Sequence, residues 1–404
     1  MSHLEKHKIL TNLQHGFRSG HSCESQLVIT MDDILGNFDD KSQTDVIILD
    51  FAKAFDTVPH KRLLSKLESY GIDGKIHNWI RSFLCNRHQR VILDGEGSEL
   101  APVRSGVPQG TVLGPILFLC YINDLPDCVK SQTRLFADDC LLYRAIKSVT
   151  DQLQLQRDLL SLEKWADSWG MSFNSKKCYL LSVNRPRVQK KLHYDYTLKN
   201  HTLEKVSENA YLGILLSEDG QWSTHINKIT KRASSTLGFL RRNLRHSSTK
   251  FKATAYTSLV RSTLEYSSVV WDPYQVTDID KLEKVQKRAA RFVKKDYGRY
   301  SSVSAMMQDL KWDTLENRRS DSRLTLMYKI RNGKVAIPAD DYTKLNPRPK
   351  KNSQTLLVYS PQRDEYKNSF FPRTIVDWNK LPDEAVNSKS IEQFKASLMR
   401  QKHY

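Results

Sequence analysis

The sequence has few of the features that mark membrane, secreted or disulfide-stabilised proteins. No run of apolar residues approaches the ~18 that a transmembrane helix needs, and the N-terminus has no apolar signal core. The six cysteines are scattered, with no Cys-x-x-Cys pair and no histidine at zinc-ligand spacing. We therefore expect an intracellular protein, nuclear or cytoplasmic, whose thiols stay reduced.

Acidic residues are missing from a long stretch of the C-terminal half. Residues 220–264 contain nine Lys and Arg but no Asp or Glu. Residues 1–150 are nearly balanced, with 17 basic against 18 acidic residues, whereas residues 151–404 contain 46 against 27. Such a one-sided excess indicates a polyanionic partner, of which nucleic acid is the commonest and an acidic membrane surface the alternative.

The stretch 134–143 places two adjacent acids, Asp138 and Asp139, between two short apolar runs. This pattern predicts a tight β-hairpin with both acids at its turn. An Asp-Asp turn is often only structural, because Asp side chains bond the nearby backbone. Two crowded carboxylates also repel each other unless a cation lies between them, and Mg²⁺ prefers such oxygen ligands.

A second acidic stretch favours the metal interpretation. Val46–Leu49 is apolar, Asp50 follows directly, and the pattern then turns helical. A buried strand that ends in a carboxylate delivers the charge to the rim of a sheet, where active sites form. We expect Asp50 to face the hairpin across neighbouring strands and to complete a two-metal site, whose ions lie ~3.5–4 Å apart.

Other segments predict local structure and candidate contacts. A glycine-rich turn around Arg18 feeds a helix over 23–35, an arrangement that can receive phosphates. An apolar helix is predicted over 113–125, and an amphipathic one over 149–169 with Leu153, Leu160 and Trp165 on one face and Gly170 as its C-cap. Residues 60–92 are predicted to be helical, with His60 and His77 at the surface or at helix caps and with a basic face made of Arg62, Lys66, Lys75, Arg81, Arg87 and Arg90.

The acid-free stretch also has helical periodicity. One face packs, and the basic residues project from the other. The apolar face consists of Ile226, Ile229, Ala233, Leu237, Leu240 and Leu244. A charged face is often merely solvated, but 45 residues without one acid are more one-sided than solubility requires.

Three motifs in a fixed order carry a resemblance to a known family. They are Leu49-Asp50-Phe51-x-Lys53-Ala54-Phe55-Asp56, Ser105–Pro115 and Phe136–Asp139. Together they resemble the reverse transcriptase of non-long-terminal-repeat retrotransposons, of the jockey-like group, strongly over about residues 14–225 and more loosely to the C-terminus. The resemblance implies RNA-directed DNA polymerase activity with two Mg²⁺ ions, or Mn²⁺ as a substitute. The implied partners are an RNA template, a DNA primer or target and deoxynucleoside triphosphates, with no membrane.

The resemblance also implies roles for individual residues. Asp50, Asp138 and Asp139 hold the metals, and Lys177, or alternatively Lys176, donates a proton to the leaving pyrophosphate. The implied nucleotide-binding residues are Arg18 at the triphosphate, Phe51, Gln109, Gly110 and Phe55, which excludes the ribose 2′-hydroxyl. The alternative role of Phe55 is a core ring packed on Phe51. Primer and template contacts are implied for Tyr211, Leu212, Gly213, Lys228, Arg232, Arg241, Arg242 and Arg245.

The implied fold is α+β, a right-hand polymerase. Residues 1–44 form partial fingers, 45–218 the palm with fingers elements at about 60–105, 219–264 a helical thumb, and 265–404 a basic helical extension. The chain opens inside the family's finger region, so we expect an N-terminally truncated copy. Two alternatives remain open at this point: a catalytically inactive nucleic-acid-binding remnant, or a reverse transcriptase similar to intron maturases.

Overall fold

The computed structural model of the chain describes residues 1–185, 192–349 and 351–401. The chain divides into two compact units, Met1–Gln26 with Ser42–Ser207, and Leu27–Lys41 with Glu208–Tyr404. The first unit combines helices with a mainly antiparallel sheet and helices dominate the second, as expected for the predicted α+β class. None of the helices in the described ranges is both long and apolar enough to cross a membrane.

The first unit contains helices and strands in mixed order, together with 3-10 turns at Leu125–Cys128 and Ser175–Lys177. Its helices are α1 Ser2–Lys6, α2 Cys23–Asp39 (which continues into the second unit), α3 Ala54–Thr57, α4 His60–Ser69, α5 Gly74–Leu84, α6 Leu113–Ile122 and α7 Val149–Trp169. Its strands are β1 Gln43–Leu49, β2 His88–Gln89, β3 Ile92–Leu93, β4 Glu96–Gly97, β5 Ala101–Pro102, β6 Gln132–Phe136, β7 Asp139–Ile146, β8 Tyr179–Val183, β9 Thr197–Leu198, β10 His201–Thr202 and β11 Glu204–Val206.

A five-stranded sheet in the order β11-β8-β1-β7-β6 organises the first unit. The β11–β8 pair is parallel and the other pairs are antiparallel. β1 is central, and nearly all of its residues are buried, which explains its continuous apolar run. Its C-terminal end therefore lies at a rim, with β7 on one side and β8 on the other.

Helix α7 has the predicted bounds. Ser148 and Asp151 form a capping box at its start, and Gly170 at φ 70° ends it. The predicted buried face was partly wrong, because Leu153 and Leu160 are exposed at 40% and 43%. The face that packs instead repeats at intervals of three and four residues and consists of Gln152, Leu155, Leu159, Leu162 and Ala166.

Over residues 60–92 the prediction was wrong about one residue of the basic face, Lys66, and about the exposure of two histidines. Lys66 is buried, donates to the Tyr121 carbonyl at 2.6 Å and to Asp124 at 2.5 Å, and lies 3.7 Å from the centre of the Trp169 ring. His60 and His77 are also buried and bond the Gly106 and Leu64 carbonyls respectively. These three side chains are core residues with satisfied polar atoms, which charge patterning alone does not reveal.

The longer segment of the second unit, Glu208–Tyr404, begins with a hairpin and continues as helices, with a π-helical turn at Thr257–Arg261. Its strands are β12 Glu208–Tyr211 and β13 Ile214–Ser217. Its helices are α8 Ser223–Asn243, α9 Thr249–Tyr256, α10 Ser262–Glu265, α11 Ser268–Trp271, α12 Val276–Lys294, α13 Val303–Asp309, α14 Leu315–Arg331, α15 Ala339–Tyr342, α16 Asp364–Lys367, α17 Phe370–Trp378, α18 Asp383–Val386 and α19 Ile391–Gln401.

Candidate active site

The two adjacent acids lie on the predicted hairpin, with a small difference in register. Phe136 pairs with Asp139, so the two-residue turn consists of Ala137 and Asp138, and Asp139 is the first residue of β7. Ala137 has φ 53°, a left-handed conformation that suits such a turn. The turn was predicted one residue too far along the chain. In the observed register Asp138 is the second residue of the turn, and Asp139 begins the strand that follows.

Asp50 directly follows β1, as predicted. Leu49 pairs with Cys140 of β7, so the next position along β1 lies beside Asp139. Partial burial, followed by the charges of Asp138 and Asp50, raises the pKa of Asp139 to about 6. The pKa of Asp138 is also raised, by burial first and then by the charge of Asp50. The three carboxylates therefore form one mutually repelling acidic group at the rim of the sheet.

This acidic group has the donor chemistry of a divalent-cation site. Its ligands are all carboxylate oxygens, which Mg²⁺ and Mn²⁺ prefer, and a cation would relieve the repulsion between them. In the described ranges no three His, Cys, Asp or Glu side chains are gathered closely enough to hold one ion as they stand. The residue types and their place at one rim fit a metal site. Full coordination also needs the side chains to converge.

A buried glutamine that the sequence analysis missed holds the hairpin turn. Gln14 is 1% exposed, and its amide accepts from the Ala137 N–H at 2.9 Å and donates to the Ala137 carbonyl at 3.2 Å. The same oxygen accepts from the Gly16 N–H at 2.7 Å. A side chain at Gly16 would overlap the Ala137 backbone, since its Cβ would lie 2.3 Å from that nitrogen. The only signal in the sequence was the glycine beside Arg18, which was interpreted as a phosphate-binding turn.

The segment that carries Lys176 and Lys177 lies along the end of β1. The Ala52 N–H donates to the Ser172 carbonyl and the Asn174 N–H donates to the Asp50 carbonyl, both at 2.8 Å. Both lysines are exposed on the 3-10 turn that precedes β8, instead of beginning the strand. Because β8 pairs with β1 in register Ile48 to Tyr179, this turn and Asp50 share one rim of the sheet.

Phe51 and Phe55 belong to two different aromatic pairs. Phe51 is 3% exposed and stacks on Phe173 with ring centres 4.3 Å apart. Phe55 is half-buried, stacks on Phe118 at 4.4 Å, and meets the edge of the exposed Phe17 ring at 6.5 Å. The alternative in which Phe55 packs on Phe51 was therefore wrong about the partner. Part of the Phe55 side chain is accessible to solvent. Phe51 could contact a nucleotide only if its ring separated from that of Phe173.

The loop around Gln109 rests on the segment that carries Phe55. A Cβ at Gly106, whose φ is 87°, would lie 2.8 Å from the Asp56 backbone, so only glycine fits there. The Gln109 amide donates to the Asp56 carboxylate at 2.9 Å. Gly110 has φ 74° and open space around it. The loop is therefore attached to the Phe55 segment, while Gln109 and Gly110 stay exposed.

Arg18 is committed to contacts within the fold. Its side chain is 4% exposed and forms a two-pronged ion pair with Glu5, at 3.0 and 3.1 Å. It also donates to the Thr11 carbonyl at 2.5 Å. A triphosphate contact would require Arg18 to leave these partners, and its role in phosphate binding stays a prediction.

The remaining predicted residues lie in the second unit. Tyr211 and Ile214 pair across a hairpin whose turn is Leu212 and Gly213, at φ 45° and 84°. The Tyr266 hydroxyl donates to the Leu212 carbonyl at 3.0 Å and fixes this turn. Helix α8 buries four residues of the predicted apolar face, Ile226, Ala233, Leu237 and Leu240, while Ile229 and Leu244 are half-buried. The predicted nucleic-acid contacts on it and just after it, Lys228, Arg232, Arg241, Arg242 and Arg245, are all exposed.

The sequence is similar to known RNA-directed DNA polymerases. The family described as reverse transcriptase (RNA-dependent DNA polymerase) matches residues 1–216. The probable RNA-directed DNA polymerase from transposon BS of Drosophila melanogaster is 28% identical over 333 residues, which cover 78% of this chain and 36% of that protein. The RNA-directed DNA polymerase from mobile element jockey of the same species is 28% identical over 303 residues, 70% of this chain and 32% of that protein. The chain thus spans about a third of the length of these curated relatives.

Solved structures show a weaker likeness. The apo telomerase from Candida tropicalis is 11% identical and superposes with a TM-score of 0.43 over 83% of this chain and 54% of that one. The telomerase from Candida albicans, in complex with a fragment of telomeric RNA, is 14% identical with a TM-score of 0.37, over 79% of this chain and 55% of that one.

Proposed function

The chain belongs to the reverse transcriptase (RNA-dependent DNA polymerase) family, and from that premise we propose that it copies an RNA template into DNA. The observation that carries this proposal is the position of Asp50, Asp138 and Asp139 at one rim of the central sheet, where their charges act on one another. Acidic residues on a hairpin turn and at a neighbouring strand end are an arrangement suited to nucleotidyl transfer.

In this reaction the 3′-hydroxyl of a primer attacks the α-phosphorus of a deoxynucleoside triphosphate in line, and pyrophosphate leaves. The three carboxylates would hold two Mg²⁺ ions, or Mn²⁺ in their place, which would stabilise the attacking and leaving oxygens. The hydrogen bonds of Gln14 to Ala137 keep the hairpin turn in place, so that Asp138 and Asp139 do not have to be ordered in each cycle.

Three further roles belong to the same proposal. Lys177, or Lys176 beside it, donates a proton to the leaving pyrophosphate, which suits their exposure on the 3-10 turn at the same rim as Asp50. Phe55, stacked on Phe118 and partly accessible, excludes a 2′-hydroxyl and so favours deoxynucleotides. The loop of Gln109 and Gly110 contacts the template base and the incoming nucleotide.

Contacts to the primer and template complete the proposal. The hairpin of Tyr211, Leu212 and Gly213 supports the primer end, and the exposed basic residues of α8 bind the phosphate backbone. The net positive charge of residues 151–404 supports a polyanionic partner.

Primer extension on an RNA template with Mg²⁺ tests the proposal. The expected result is template-directed incorporation of deoxynucleotides by the unaltered chain and none by Asp139→Asn. The proposal would be wrong if the unaltered chain and Asp139→Asn both bound the primer and template and neither extended the primer. That result would show a nucleic-acid-binding protein and not a polymerase.

A further inference from the structure

A basic cavity lies where the C-terminal ends of α8 and α12 approach α9 in the second unit. Its volume is about 830 Å³. It is lined by the cations Arg241, Arg242, Arg245, Lys252 and Lys295 with His246, and by Gly238, Phe292 and Tyr297. None of the described residues that line it carries a carboxylate.

The cations of this cavity differ from three arginines on α14 of the same unit. Elsewhere, Arg318 pairs with Glu265, and the buried Arg319 and Arg323 both pair with Asp272. No ion pair joins the arginines and lysines of the cavity to a carboxylate in the part of the chain that the structure describes. The buried guanidinium groups of Arg319 and Arg323 are thus compensated within the fold, whereas the exposed guanidinium groups of the cavity are accessible to an anion from outside.

Lys252 adds a cation with little exposed surface to this cavity. The residue is 1% exposed, and its ammonium donates to the Arg245 carbonyl at 3.1 Å and lies 5.2 Å from the centre of the Phe292 ring. Burial, followed by the charge of Lys295, lowers its pKa. A buried ammonium without a carboxylate is unfavourable unless an anion compensates it. Lys295, the neighbouring cation, ends helix α12 in a left-handed backbone conformation, at φ 56°.

Aromatic rings give the cavity a second kind of contact. Tyr297 is 56% exposed, and the Arg241 guanidinium lies 5.4 Å from the centre of its ring. Exposed aromatic and guanidinium planes beside cations are the groups on which unpaired bases stack. The cavity volume falls in the range of small-ligand sites, roughly 300–1,000 Å³. It suits a short unpaired segment and not a double helix.

We propose that this cavity binds an unpaired stretch of nucleic acid, with phosphates on Arg242, Arg245 and Lys295 and a base against Tyr297. The inference rests on the proposed function only in expecting nucleic acid as the partner. It divides the basic surface in two: Lys228 and Arg232, which do not line the cavity, contact the paired duplex, while the cavity holds single strand.

Fluorescence anisotropy with two probes tests this division. One probe is a labelled oligouridylate of about ten nucleotides, a length within the range of single-strand sites. The other probe is a labelled RNA–DNA hybrid with blunt ends. Binding of each probe to the full chain is measured in the absence of nucleoside triphosphates. The double variant Lys295→Gln with Tyr297→Leu should weaken oligouridylate binding about tenfold, the loss expected for one stacked base. Its affinity for the hybrid should stay nearly unchanged.

A matched variant and a stability measurement complete the design. Lys228→Gln with Arg232→Gln should weaken hybrid binding and leave oligouridylate binding nearly unchanged. Lys252→Met should weaken oligouridylate binding while the protein melts at the same or a higher temperature, because the substitution removes a buried unpaired charge. A purely structural lysine would show the opposite, with lower stability and unchanged binding.

Equal losses on both probes would show a general basic surface and overturn the proposal. Loss of binding to phosphatidylserine vesicles with unchanged oligouridylate binding would overturn it in favour of a membrane contact. Catalysis does not enter these measurements. A chain that binds the single strand through the cavity but never extends a primer would refute the polymerase proposal alone.

Discussion

The side-chain amide of Gln14 bonds both the backbone N–H and the carbonyl of Ala137, so one buried side chain satisfies the turn that presents Asp138. The two residues are 123 positions apart in the chain. Ala137 has a left-handed backbone, and the turn's flanking residues are already paired in the β6–β7 ladder. Without this amide, the polar groups of Ala137 would be buried without their partner, at a cost of about 1–3 kcal/mol.

Gln14→Ala is therefore expected to lower kcat of primer extension about tenfold or more while KM for deoxynucleotide changes little, because the acids are displaced and the nucleotide contacts stay. Gln14→Glu keeps the acceptor for Ala137 but loses the donor, and should retain part of the activity. The measurement is steady-state extension over a range of nucleotide concentrations. Gln152→Ala, which removes a buried glutamine of α7, is the control for stability. Equal kinetic effects of Gln14→Ala and Gln152→Ala would contradict a positioning role.

Asp139→Asn is expected to abolish extension and leave binding of the primer and template largely intact, since side-chain volume is unchanged and one ligand charge is lost. The same substitution should raise the melting temperature in metal-free buffer at pH 8. The pKa of Asp139 in the fold, about 6, lies above its ordinary value, so its stabilising contribution is complete at low pH and is lost as pH rises through about 6. The stability difference between the two chains should therefore shrink below pH 4. Extension by Asp139→Asn near the unaltered rate would show that the metal assignment is wrong.

Phe55→Val should raise the incorporation of ribonucleotides relative to deoxynucleotides, because a shorter side chain leaves room for the 2′-hydroxyl. The ratio of the two incorporation efficiencies is the measurement. Phe173→Val removes the ring stacked on Phe51 and serves as the matched loss of an aromatic pair. Unchanged sugar selectivity in Phe55→Val, with a stability loss like that of Phe173→Val, would leave Phe55 as a core residue only.

Asp32 of α2 predicts a pH dependence of stability away from the active site. Burial, and then the charge of Asp33, raises its pKa to about 7, although Tyr366 donates a hydrogen bond to it. One of its carboxylate oxygens is buried without a hydrogen-bond partner in the described part of the chain. Because the pKa in the fold lies above the unfolded value, the contribution of Asp32 to stability is complete below about pH 4 and is lost as pH rises through about 7.

Asp32→Asn should consequently increase the free energy of unfolding at pH 8, by at most about 4 kcal/mol for a shift of this size. It should have little effect at pH 4. Denaturant unfolding at both pH values gives the comparison, and Asp280→Asn, at an exposed position of α12, is the control. A stability gain of the same size at both pH values would contradict the assigned pKa.

Local sequence patterns were sufficient to predict the main elements around the site and to identify its acids. The bounds of α7, the β6–β7 hairpin, the strand that ends before Asp50 and the buried face of α8 all follow from periodicity and end signals spanning a few residues. The three family motifs are also short, so they can be recognised from the sequence without any knowledge of tertiary contacts. The one-residue error in the turn marks the limit of such patterns, since register is set by pairing along the whole strand.

The burial of polar side chains, and the partners that they bond, depended on how the elements pack together. Lys66 and Lys252 have the sequence pattern of solvated lysines, yet each is buried against partners on other elements. Arg18 lies in a glycine-rich turn and pairs with Glu5 of the N-terminal helix. Gln14 meets Ala137 only because the loop before Arg18 packs against the end of β6. Contacts between residues far apart in the chain depend on which elements meet, and local patterns carry no information about that meeting.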